Sequence, residues 1–285
     1  MTTTRTRPEL ERPPPRSRRS RGRRAGGLPA VLMLPALAGL AFLVVPLAGL
    51  IVEAPWGTLA ERLADPAVLG ALRLSLVTAS AATVLCLVFG VPLAWLLARG
   101  ELPGLRAVRA LVTVPLVLPP VVGGVALLLV LGRNGLIGQY LEAWFGFSLP
   151  FTTAGVIVAE AFVAMPFLVV AVDGALRGAD RRYEEAAATL GASRWLTFRR
   201  VTLPLVAPGI AAGAVLCWAR ALGEFGATIT FAGNFPGETQ TMPLAVYLAL
   251  ETDPEAAIVL SLVLFAVSVV VLASLRDKWI SPNAG

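Results

Sequence analysis

The chain has 285 residues, of which 56% are hydrophobic and only 15% charged, and its mean hydropathy is +0.76. An ordinary globular chain carries about a quarter charged residues, so this composition excludes a soluble protein and fits a polytopic one solvated mostly by lipid. Histidine is absent, and Lys278, the single lysine, follows no glycine-rich loop; a Ser-His triad, an imidazole metal site and a GxxxxGK[ST] phosphate loop are therefore excluded.

In chain order, residues 1–27 come first, with nine arginines against Glu9 and Glu11, net +7; the rest holds 15 basic against 16 acidic residues, net −1. The overall charge of +6 is thus a property of the tail and gives no reason to expect a nucleic-acid partner. A tail rich in Pro, Ser and Arg is too polar to bury a core and is expected to be disordered, held on the cytoplasmic side against anionic lipid.

Six apolar runs of about twenty residues follow, each long enough to cross about 30 Å of hydrocarbon: 28–52, 74–97, 108–131, 153–176, 205–231 and 256–275. The fold class is therefore all-α, with six transmembrane helices. Ala36-Leu37-Ala38 resembles a signal cleavage site, but the apolar stretch continues to Val52, which favours an uncleaved helix. Cys86 and Cys217 both fall inside apolar runs and are expected to pack as small hydrophobes.

Basic residues concentrate in the tail, in 98–107 with Arg109, in 177–204 and in the C-terminal segment 276–285, which together hold twenty of the twenty-four. The intervening loops carry Glu53, Glu61, Asp65, Glu142, Glu238, Glu251 and Asp253. This asymmetry puts both termini in the cytoplasm.

The third run is interrupted by Pro115, Pro119 and Pro120 and loosened by Gly123-Gly124. Broken helix is tolerated at membrane depth where protein or water satisfies the freed carbonyls, so the stretch either lines a pathway or kinks for packing. In the fourth run, Glu160 and Asp173 read as structural acids, although a proton-coupled antiporter would also need such groups. In the fifth, Gly209 and Gly213 form a small-xxx-small motif, and Arg220 and Glu224 stand four apart on one helical face. A lone charge deep in the bilayer costs about 2.5–3.5 kcal/mol on insertion scales, so the two either brace a gate or form an intrahelical ion pair.

Residues 177–204 form the longest inward loop, RGADRRYEEAAATLGASRWLTFRRVTLP. Helix formers up to Leu190, the punctuation of Gly191 and a basic, aromatic stretch before Pro204 predict helix–glycine–helix against the inner membrane face. Trp195 and Phe198 would seat it, with Arg194, Arg199 and Arg200 facing headgroups or a partner.

Glu185-Ala186-Ala187, three residues, Gly191, nine residues, then Val201-Thr202-Leu203-Pro204 resembles the EAA loop of ABC importer permeases, with valine in place of isoleucine. That resemblance implies a type I permease core over 74–275 and a coupling loop that docks on a separate ATPase through Glu184, Glu185, Ala186, Ala187, Gly191, Arg194, Leu203 and Pro204. Val114 to Gly124 and Ala219 to Asn234 look like the molybdate permeases, a group related to sulfate and thiosulfate permeases. The resemblance implies a homodimer in the plasma membrane of a prokaryote, two ATPase chains and an extracytoplasmic oxyanion-binding protein. It also implies no cofactor and no catalysis in this chain, ATP being used by the partner, and a pathway or gate drawing on Pro119, Pro120, Gly123, Arg220 and Glu224. Molybdate is the expected substrate, with tungstate close behind. The alternatives are a sulfate or thiosulfate permease and an ion-coupled secondary transporter, which would show inverted repeats that are not evident here.

Overall fold

The computed structural model describes residues 30–100 and 103–279, and every regular element among them is helical. The helices are α1 (Ala30–Val52), α2 (Leu59–Leu63), α3 (Pro66–Arg99), α4 (Leu105–Val117), α5 (Pro120–Leu131), α6 (Gly138–Phe145) and α7 (Thr153–Gly178). They continue as α8 (Arg182–Thr189), α9 (Arg194–Thr197), α10 (Leu203–Leu222), α11 (Gly226–Phe231), α12 (Met242–Thr252) and α13 (Pro254–Trp279). The basic tail 1–27 and the last residues, 280–285, lie outside the described residues.

The chain divides into 1–49 and 50–285. In the first part, most of α1 is a continuous apolar helix despite Pro35 and Pro46. In the second part, α3, α7 and α10 pack together around Ala79, Ala82, Cys86, Ala94, Ala161, Ala164, Leu168 and Cys217. Small side chains let membrane helices approach closely, and here they supply much of the seam. Gly209 and Gly213 of α10 sit against Ala175 and Ala171 of α7, so the small-xxx-small motif serves that packing. Both cysteines are buried and free.

Five helices are long and apolar enough to cross a membrane, or six if α4 and α5 count as one broken span. Three of the expected spans differ in detail. The second begins eight residues early, at Pro66, with Asp65 accepting a hydrogen bond from Ala67 N, so Arg73 lies within α3 and not in an outer loop. The third bends by 118° between α4 and α5. Its cause is local: Leu118 and Pro119 take extended backbone, because a residue before proline is driven out of the helical region. The fifth ends at Leu222, breaks over 223–225 and resumes as the short α11.

The two breaks adjoin. Gly226, which opens α11, packs against Pro120 and Val121, while Gly124 of α5 lies so close to Ala227 and Thr230 that a Cβ there would collide. Leu127, Ala159, Val163, Ala227 and Phe231 close this corner as a second apolar cluster, from α5, α7 and α11. A third, built from Ala71, Met242, Ala249, Ala257 and Leu260, joins the start of α3 to α12 and α13.

Candidate functional site

Residues 177–204 fold as helix–turn–helix. Asp180 Oδ1 accepts from Arg182 N at 2.9 Å to open α8, and Glu184 and Glu185 occupy its first turn, where the helix dipole favours anions. At the other end Gly191 takes φ +81°, with Gly191 N donating to Ala188 O at 2.9 Å and Ala192 N to Ala187 O at 3.0 Å. This is a Schellman motif, and the left-handed residue it needs is the glycine. Ser193 Oγ then accepts from Leu196 N at 3.3 Å and starts α9.

Between α9 and α10 lies a wide π turn, Phe198–Thr202, in which Leu203 N reaches Phe198 O. Pro204 explains it, since proline lacks an N–H and its ring crowds the carbonyl four residues back. The loop therefore runs without a break into α10. Glu185, Ala186, Gly191 and Arg194 are exposed, Ala187 is half-buried, and Leu190 is 88% exposed.

The opposite side of this loop is tied down. Arg99, the last residue of α3, puts Nη2 3.2 Å from Glu184 Oε1, and Thr202 Oγ1 donates to the same oxygen at 3.1 Å. A helix leaves its final carbonyls without intrahelical partners, and α3 has these met by arginines. Leu97 O accepts from Arg109 Nη2 at 2.7 Å and from Arg177 Nη2 at 3.1 Å, and Ala98 O from Arg181 Nη2 at 3.4 Å. Asp173 joins the set, 2.9 Å from Arg177 Nε and 3.6 Å from Arg109 Nη2. In sequence these arginines mark only orientation; Arg99 and Arg109 in one basic segment and Arg177 and Arg181 in the next were the available signal.

At the adjoining breaks, Arg220 Nη1 lies 2.6 Å from Glu224 Oε2. Glu224 is 1% exposed, stands beyond the end of α10, and uses Oε1 to accept from Ala227 N at 2.8 Å. From within the break it therefore pairs back to α10 and pins the start of α11. Pro119, Pro120 and Gly123 stand on the other side of the same corner, Gly123 facing Phe162. Glu160, also 1% exposed, accepts from Thr78 Oγ1 at 2.9 Å, and its second oxygen, like Thr228 Oγ1 and Thr241 Oγ1, is buried without a hydrogen bond. Beside the break an open groove of about 410 Å³ is lined by residues including Gly223, Phe225, Tyr247 and Leu250.

The loop and the breaks are joined by α10. Seventeen residues separate Leu203 from Arg220, about 26 Å of helix.

Residues 87–284 match the family described as the binding-protein-dependent transport system inner membrane component. The chain belongs to that family. This permease is 50% identical over 245 residues to a molybdenum transport system permease protein of Mycobacterium tuberculosis, covering 86% of this chain and 92% of that one. It is 37% identical over 238 residues to a sulfate transport system permease protein of Escherichia coli, covering 82% and 86%. Its fold matches a crystal structure of a bacterial ABC transporter involved in importing the acidic polysaccharide alginate, with TM-score 0.67 and 21% identity over 88% of this chain and 95% of that one. The permease thus has the all-α architecture of type I ABC importers.

Proposed function

We propose that this permease is the membrane subunit of an ATP-driven importer of molybdate, working as a homodimer with two copies of a separate ATPase and an extracytoplasmic binding protein. The loop carries the reading: its exposed face from Glu185 to Leu190 is free to dock, while Glu184 on its other side is bound to α3 and Thr202. An ATPase that moves the exposed face moves the clamped assembly with it. Because the loop is continuous with α10, that displacement reaches the Arg220–Glu224 corner about 26 Å away, where two helix breaks allow a change of packing.

On this reading the chain supplies no catalytic group and no cofactor site; ATP is the partner's substrate. The gate draws on Pro119, Pro120, Gly123, Arg220 and Glu224, with the pathway on the two-fold axis. Weak binding along it suits release of a divalent anion, so affinity resides in the binding protein. Both termini are cytoplasmic, which the concentration of arginine on the clamp side supports. Molybdate is favoured over sulfate by the 50% against 37% identity of the respective relatives.

The test is uptake of labelled molybdate into proteoliposomes holding this chain, its ATPase and its binding protein, with excess sulfate as competitor. ATP-dependent uptake that resists sulfate but yields to tungstate supports the reading. Accumulation of sulfate moves the permease to the sulfate branch with the coupling intact, and uptake without the ATPase overturns the mechanism.

A further inference from the structure

Beside the docking face, α9 and the π turn lie against the last turns of α3. Between them is an apolar slot of about 320 Å³, lined by Pro92, Trp95, Arg194, Trp195 and Phe198. Its walls are aromatic: Trp95 meets Phe198 edge-on at 6.2 Å, and Phe198 stacks on Trp195 at 5.8 Å. Pro92, Trp95 and Trp195 are all exposed, so the slot opens outward.

Two observations say what occupies it. The first is depth. Counting back from Arg99 at the end of α3, Trp95 and Pro92 lie about 6 and 10 Å further along the helix. Arg194 is the outermost slot residue of the continuous α9–α10 run, and Phe198 lies a turn inward. A ligand would meet a cation at the mouth and only apolar surface below it, and indole rings at that level sit where headgroups give way to chains.

The second is charge. Arg99, Arg109, Arg177 and Arg181 all have carbonyl or carboxylate partners. The guanidinium of Arg194, the charged residue that lines the slot, has no such partner among the described residues. An unpaired cation at the mouth of an aromatic slot complements an anion attached to a hydrocarbon chain.

We propose that this slot binds one anionic phospholipid of the inner leaflet, its phosphate on Arg194 and an acyl chain between Trp95, Trp195 and Phe198. The lipid then bridges α3 and α9, bracing the loop beside the docking face. The site rests on the membrane embedding of the family and stands whether or not the loop couples to an ATPase.

The experiment is native mass spectrometry of the detergent-purified permease titrated with phosphatidylglycerol or phosphatidylcholine, for the wild type, Arg194→Gln and Trp195→Ala, with thermal unfolding as a folding control. The expected result is one retained phosphatidylglycerol, held about fivefold more strongly than phosphatidylcholine, and about fivefold weaker phosphatidylglycerol retention for Arg194→Gln, since each basic residue near a headgroup is worth about a factor of five. Trp195→Ala should weaken both lipids. Equal retention of the two lipids by the wild type overturns the proposal, as does unchanged phosphatidylglycerol binding in Arg194→Gln. So does Arg194→Gln weakening binding of the ATPase while leaving lipid retention intact, which would assign the slot to the protein interface.

Discussion

Replacing Arg99 by Gln isolates the contact that ties the loop to α3. The Arg99 side chain is 8% exposed, whereas that of Glu184 keeps 24%. Breaking a fully buried ion pair from one side costs about 3–5 kcal/mol, because the remaining charge is stranded. Here water reaches Glu184 and the Thr202 hydroxyl still donates to it, so the cost falls to about 1–3 kcal/mol. If that energy holds the loop in the position from which it moves α10, losing it reduces the held population by about 5- to 150-fold. The assay is uptake and ATP hydrolysis measured together in proteoliposomes. Anions moved per ATP should fall while hydrolysis persists, because the proposed docking face from Glu185 to Leu190 is untouched.

Glu184→Gln and the double variant complete a cycle. The two single effects should fail to add, and Arg99→Glu with Glu184→Arg should recover part of the loss. Single effects that add within about 0.5 kcal/mol would show that the residues do not act as a pair. An unchanged transport-to-hydrolysis ratio in Arg99→Gln would refute the clamp itself.

Three further outcomes are expected. At Gly191 a Cβ would meet no atom within 4 Å, so Gly191→Ala costs only the left-handed backbone, about 1–2 kcal/mol; uptake should drop about tenfold, and Gly191→Asn should retain more of it, as asparagine tolerates that conformation. The Arg62 guanidinium, donating to Asp253 at 2.7 Å, holds that carboxyl below its ordinary value. Its stabilisation is therefore present above the unfolded pKa of about 3.9 and lost as pH falls through the lower folded value. The difference in thermal midpoint between wild type and Asp253→Asn should thus be seen at pH 6 and shrink toward pH 3. With both native cysteines replaced by alanine, Leu190→Cys and Glu238→Cys should react with a membrane-impermeant maleimide from opposite sides; labelling of both from one side would contradict the orientation.

The apolar runs were legible because a membrane helix must satisfy its backbone internally, so about twenty uncharged residues carry the signal without any partner. The loop was legible too, since Gly191 and Pro204 dictate a left-handed stop and a helix start from their own chemistry. The bend between α4 and α5 was half legible: Pro119 and Pro120 announce a break, but its 118° comes from where α5 finds its packing partner, Ala227 and Thr230 of α11. For Arg220 and Glu224 the spacing of four gave the right contact for the wrong reason. That spacing implies a continuous helix, yet α10 ends at Leu222, and Glu224 reaches Arg220 from beyond it while also accepting from Ala227 N.

The arginine clamp was hidden for a different reason. In sequence, Arg99, Arg109, Arg177 and Arg181 are interchangeable positive charges that set orientation; only the folded arrangement gives them their carbonyl and carboxylate partners. Orientation needs the charges on one side and nothing more, so it would be satisfied by solvated arginines. Three of them instead donate to carbonyls at the end of α3, and the fourth, Arg99, reaches from that end to Glu184. A segment tied that way to α3 and running on into α10 has the rigidity that the proposed coupling requires and that orientation alone does not.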